Sequence, residues 1–133
     1  MKNKQIIVAL PVRDLEKSKA FFSSLGYSFN PQFSGEDSAC MIVAEDSILV
    51  MLETETLFKS FIDKPLAQAR EANEVVLCLS CESREELEGL IAKATAGGAR
   101  IPHPLEDHGF MYDQGFEDLD GHLWNLVFMA PEA

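Results

Sequence analysis

One local pattern occurs twice in this chain, and it leaves few folds open. An apolar strand from Gln5 to Leu10 ends at Pro11, and Asp14 follows with a side-chain oxygen suited to cap a helix. Leu15, Ser18, Phe21, Phe22 and Leu25 then recur at helical spacing until Gly26, a common C-terminal stop. The same order returns later. Glu74 to Ser80 is apolar, and Ser83 with Glu86 three residues on forms a capping box. Leu87, Leu90, Ile91 and Ala94 then mark a helix stopped by Gly97-Gly98. Leu10 to Asp14 corresponds to Leu79 to Ser83 at an offset of 69 residues, and the helix stops correspond after a two-residue insertion.

Three short strands are expected after each helix. In the first half they are Tyr27 to Phe33, broken at Pro31, then Ala39 to Ala44 and Ile48 to Glu53, with turn formers at 34–37 and 45–47. In the second half they are Arg100 to Pro104, Phe110 to Phe116 and His122 to Met129, the last two joined by a hairpin turning at Asp120-Gly121. The chain is thus an α+β fold of two βαβββ units, about 4–53 and 74–130, within a single domain spanning 1–133. Thr54 to Asn73 reads as an irregular helical connector. Leu57, Phe58, Phe61 and Ile62 lie on one side of it, and Pro65 breaks it.

Charge narrows the partners. Eleven basic against twenty-two acidic residues give a net charge of -11, which opposes phosphate backbones and anionic lipid surfaces, so neither nucleic acid nor membrane is expected. No apolar run is long enough for a signal-peptide core or a membrane span, and the expectation is a soluble cytoplasmic protein. Cys40, Cys78 and Cys81 are an odd number, which argues against a disulfide framework. Cys78 and Cys81 spell C-x-x-C, but on a strand residues three apart point to opposite faces. They are expected to be small buried hydrophobes rather than a metal pair.

The run Leu10-Pro11-Val12-Arg13-Asp14-Leu15-Glu16-Lys17-Ser18, the run Asp107 to Tyr112 (DHGFMY) and the run Asp118 to Trp124 (DLDGHLW), placed in order on a duplicated βαβββ pattern, carry a resemblance. The chain resembles the vicinal oxygen chelate superfamily, which includes glyoxalase I, bleomycin and fosfomycin resistance proteins and extradiol dioxygenases. The likeness covers nearly the whole chain and is greatest to the glyoxalase-like branch. It implies a cupped mixed sheet with helices on the outer face. It also implies a homodimer, since relatives are commonly dimers.

Metal-using members of that superfamily place a ligand on the first and last strand of each unit. Aligned here, those positions fall on Ile7, Met51, Val76 and Asn125, and only the Asn125 carbonyl is a donor, a weak one. No metal and no cofactor are therefore expected. Alternation puts Ile6, Val8 and Leu10 towards the helix. The opposite row of each strand, including Gln5, Ile7, Met51, Glu53, Glu74, Val76 and Asn125, then faces the cup as candidate ligand-binding residues.

His108 and Tyr112 are the candidate catalytic residues. His108 stands beside Asp107, whose carboxylate suits an imidazole to acid–base work near neutral pH, although an exposed loop histidine is the commoner case. Tyr112 has a hydroxyl to offer a substrate, although a strand tyrosine is more often part of the core. Asp118-Leu119-Asp120-Gly121 is not a calcium loop. With Gly121 as sixth position, Phe116 and Val127 fall where carboxylates are required.

The leading expectation is a metal-free small-molecule-binding protein of the glyoxalase and bleomycin-resistance type. Two alternatives stay open. One is a lyase or isomerase resembling lactoylglutathione lyase, with metal-independent acid–base catalysis or a displaced metal set drawn from Glu74, His108, His122 and Glu53. The other is a dimeric interaction protein.

Overall fold

The computed structural model describes residues 2–130, so the two ends of the expected 1–133 domain lie outside them. The chain divides into two compact units, Met1–Ala67 and Gln68–Ala133. Each contains a four-stranded mixed sheet and a long helix.

Unit 1 begins with β1 (Ile6–Val12) and α1 (Leu15–Ser24), followed by β2 (Ser28–Asn30), a 3₁₀ turn at Pro31–Phe33, β3 (Ser38–Ala44), β4 (Ile48–Thr54) and a short α2 (Glu55–Lys59). The sheet order is β1-β4-β3-β2, with β1 parallel to β4 and the other pairs antiparallel. Asp14 caps α1 by accepting the Lys17 amide at 3.1 Å, and Gly26 takes φ +108° just beyond it. Leu10 and Val12 of β1, Val50 and Leu52 of β4, and Ala39 and Met41 of β3 are buried together with Phe21 and Phe22 of α1. Alternation of side chains along the strands accounts for this core.

Two expectations for this half need correction. Pro11 does not end β1 but lies within it, opposite Glu53. That is tolerated because β1 is an edge strand of its sheet, where a missing amide is least costly. Pro31 does end β2, and the residues after it form the 3₁₀ turn instead of continuing the strand.

Unit 2 repeats the plan. It consists of β5 (Val76–Ser80), α3 (Arg84–Ala96), β6 (Glu106–Asp107), β7 (Met111–Glu117) and β8 (Leu123–Met129), in the sheet order β5-β8-β7-β6. Ser83 accepts the Glu86 amide at 3.0 Å, and the Glu86 carboxylate accepts the Glu82 amide at 2.6 Å. The caps Asp14 and Ser83 are 69 residues apart, as the repeat requires. The left-handed glycines Gly26 and Gly98 are 72 apart, so the insertion is three residues, not two. It lies in the helix, 13 residues in α3 against 10 in α1.

The strand expected at Arg100 to Pro104 is reduced to one bridge, Arg100 to Glu117, followed by the two-residue β6. Pro102 and Pro104 lack the amides a ladder would need. The connector is helical only at Glu55–Lys59, and its far end belongs to unit 2. There Arg70 donates to the Leu119 carbonyl at 2.7 Å, and Asn73 donates to the Gly121 carbonyl at 3.1 Å. Of the two cysteines expected to be buried on this strand, Cys81 is buried and Cys78 is exposed. They point to opposite faces, and only one face is covered by α3. No helix among the described residues is long and apolar enough to cross a membrane.

Candidate functional site

The hairpin β7–β8 organises unit 2. Phe116 pairs with Trp124 and Gln114 with Leu126, and Phe116, Trp124 and Leu126 are buried on the face where α3 packs with Leu87 and Ala94. The loop between the strands is folded around one side chain. Asp118 accepts the amides of Asp120 at 2.9 Å and His122 at 3.0 Å through Oδ1, and the Trp124 indole N–H at 2.9 Å through Oδ2. Burial raises the Asp118 carboxyl above its usual range against the opposing effects of His122 and these donors. The carboxylate serves the turn.

The other face of this sheet borders a cavity. Asn125 stands opposite Gly115 and next to Cys78, Val127 opposite Asp113, Leu123 opposite Glu117 and Val76, and Asp113 opposite Glu106. Directly paired residues share a face, so these side chains converge there. Of these, Val76, Leu123, Asn125, Asp113, Glu117 and Glu106, but not Cys78 or Val127, line this cavity of about 430 Å³, with Asn73 and His103 at its sides. No lysine or arginine is in that lining. A Cβ at Gly115 would lie 3.3 Å from Leu123 Cδ1 and 3.5 Å from Asn125 Oδ1, so glycine keeps open the space beside the Asn125 amide.

Several of the expected site residues are brought together here and others are not. Val76 and Asn125 line the cavity, whereas Glu74 is exposed, two residues before β5. His108 lies at the end of the β6–β7 hairpin, with Nε2 3.3 Å from Asp113 Oδ2 and 3.5 Å from Glu106 Oε2. Its expected neighbour, Asp107, instead turns back to accept the Gly109 amide at 2.8 Å. Tyr112 is three residues from Gly115 on the same strand and therefore on the opposite face. There it stacks on Phe128 with ring centroids 6.2 Å apart, under the Arg84 guanidinium at 4.8 Å. It does not form an acid–base pair with His108. The displaced metal set is likewise not assembled in this unit. His122 is drawn to Asp118 at the other end of the hairpin, and Glu74 is separate from both histidines.

In unit 1, Ile7 and Met51 share a face of the β1–β4 pair, offset by two residues, and Gln5 is exposed just before β1. The two units repeat in register. Met51 faces Ala9 as Asn125 faces Cys78, and Ala9 and Cys78 are 69 residues apart. Glu53 on this face is 6% exposed, its Oε1 has no hydrogen-bond partner among the described residues, and burial raises its carboxyl above the usual range. Sequence reasoning missed Glu106, Asp113, Gly115 and Glu117. The alternation that places Asn125 also places them, once β7 is set in register.

Each unit has the βαβββ arrangement that the resemblance implied. Residues 6–44 match the family described as bleomycin resistance protein-like N-terminal. Among solved structures, the chain is similar to hypothetical protein SA1046 from S. aureus, with 28% identity over 94% of this chain and 93% of that one, TM-score 0.79. It is also similar to a glyoxalase-related enzyme from Fulvimarina pelagi (18% identity, 94% and 88% covered, TM-score 0.79). A third is the fosfomycin resistance protein FosX from Listeria monocytogenes (18%, 96% and 94%, TM-score 0.70). Comparison with curated proteins gives no match.

Proposed function

We propose that the chain is a small-molecule-binding protein of the glyoxalase and bleomycin-resistance type, acting as one domain. Its ligand would sit in the unit 2 cavity beside Val76 and Asn125, and no ion would be held there or at Ile7 and Met51 of unit 1. The observation that carries this reading is the unit 2 cavity, where Val76 and Leu123 offer apolar contact and the Asn125 amide, kept clear by Gly115, offers both a donor and an acceptor. Isoleucine, methionine and valine cannot replace imidazole or carboxylate lone pairs for a divalent metal, so the binding energy at those positions comes from burial and from Asn125.

The reading extends to a cytoplasmic homodimer. The superfamily resemblance supports it, as does the apolar side chain of Ile6, left exposed on the edge strand β1.

Thermal shift against a small library of thiol adducts, phenols and glycopeptides tests the function. A ligand at a hundred times its dissociation constant adds about 2.7 kcal/mol of stability. At least one class is expected to raise the melting temperature and to perturb the Asn125 side-chain amide in an NMR titration. No shift from any class, or a shift that leaves the Asn125 amide unperturbed, would overturn the reading.

A further inference from the structure

We propose that Glu106, His108 and Asp113 form a binding site for a divalent transition-metal ion at the rim of the unit 2 cavity. The site is separate from Ile7, Met51, Val76 and Asn125, and the inference does not depend on the cavity taking a small molecule. One imidazole nitrogen and one oxygen from each of two carboxylates lie within 4.8 Å of one another.

The two spacings from the imidazole are those of a coordination shell. Around an ion with bonds of about 2.0–2.1 Å, tetrahedral donors stand roughly 3.3 Å apart. His108 Nε2 is 3.3 Å from Asp113 Oδ2 and 3.5 Å from Glu106 Oε2. The His108 nitrogen already stands at that spacing from both carboxylates, and the third pair lies within 4.8 Å.

Charge gives a second, separate argument. Glu106 and Asp113 are direct cross-strand partners, and like charges in that position weaken a sheet. Among the described residues neither carboxylate is paired with a lysine or an arginine, and His108 is their shared partner. A dication held between them would offset both carboxylates.

The backbone that holds the donors is fixed from both sides. His108 donates its amide to the Met111 carbonyl at 2.8 Å, Asp107 accepts from Gly109, and Ala130 donates to the Phe110 carbonyl at 2.8 Å. Gly109 takes φ +85°, which lets the chain turn within these three residues.

The donor set selects the class of ion. One imidazole with two carboxylates suits zinc, cobalt or nickel better than magnesium or calcium, which take oxygen donors. Glu106 and Asp113 also line the cavity, so the remaining coordination positions open towards it. That is the arrangement of three protein ligands plus an exchangeable position.

Calorimetric titration of the whole chain with Zn²⁺ alone, and with Co²⁺ monitored by its visible absorption, tests the site. One ion per chain is expected. His108→Asn and Asp113→Asn should each weaken binding at least about tenfold, while Cys78→Ser, which removes an exposed thiol, should leave it unchanged. Substoichiometric paramagnetic Co²⁺ added to the isotope-labelled wild-type chain should shift and broaden the amide resonances of 106–113 first, a readout that needs no variant to fold. Absence of stoichiometric binding, binding unaltered in both variants, loss of binding in Cys78→Ser, or broadening centred elsewhere would each overturn the proposal. Because no small molecule is present, failure here is distinguishable from failure of the ligand-binding reading.

Discussion

The Trp124 indole donates to Asp118 Oδ2 at 2.9 Å, and the other oxygen of the same carboxylate holds the amides of Asp120 and His122. Six residues apart in sequence, these two side chains tie the buried start of β8 to the end of β7. Asp118 thereby sets the register in which Gly115 meets Asn125.

Removing that carboxylate should cost more than any ordinary surface change. Asp118→Ala leaves three donors without their acceptor in a buried loop, and the expected loss is at least ~2 kcal/mol in urea denaturation. Asp118→Asn keeps one acceptor oxygen and should lose less. Equal losses in the two variants would mean that the carboxylate's hydrogen bonds do not support the loop.

Gly121→Ala tests a different constraint. Gly121 has φ +90°, and a Cβ there would stand 2.7 Å from the Arg70 amide nitrogen and 2.9 Å from the Ala69 carbonyl carbon, both backbone atoms. Strain and collision add, so a loss of about 2 kcal/mol or more is expected from chemical denaturation. The Arg70 and Asn73 contacts should loosen with it, read as faster amide exchange at 119–121. A melting temperature equal to the wild type would show that the 69–70 backbone is not held against the turn.

Glu53 should make unit 1 sensitive to pH in one direction. Burial raises its carboxyl in the folded state above the ordinary 4.5, so the unfolded chain loses its proton first as the pH rises. The associated stability is complete below about pH 4.5 and is lost as the pH rises through the raised folded value. Glu53→Gln removes the ionisation. The stability of wild type minus that of Glu53→Gln should therefore fall from about pH 4 towards neutrality, and a difference constant over that range would refute the assignment.

In the cavity, Asn125→Leu should preserve the fold and weaken any ligand that raises the melting temperature by about tenfold, the equivalent of one lost hydrogen bond of ~1.4 kcal/mol. Gly115→Val should act through space instead, filling the volume beside Asn125. Direct titration of both variants with the same ligand provides the check, and unchanged affinity in both would move the binding site elsewhere.

The sequence by itself determined the repeat, the two helices with their caps Asp14 and Ser83, and the face of β8 that carries Trp124 and Leu126 inward and Asn125 outward. These follow from local chemistry and from side-chain periodicity, which need no knowledge of distant neighbours. Tertiary structure decided what the short-range pattern leaves open. Pro11 stays in β1 because that strand lies at an edge of its sheet, and Tyr112 turns from the cavity because β7 pairs with Phe128 opposite it. His108 meets Asp113 and Glu106 instead of its neighbour Asp107 because strand register, not sequence distance, chooses which charges share a face.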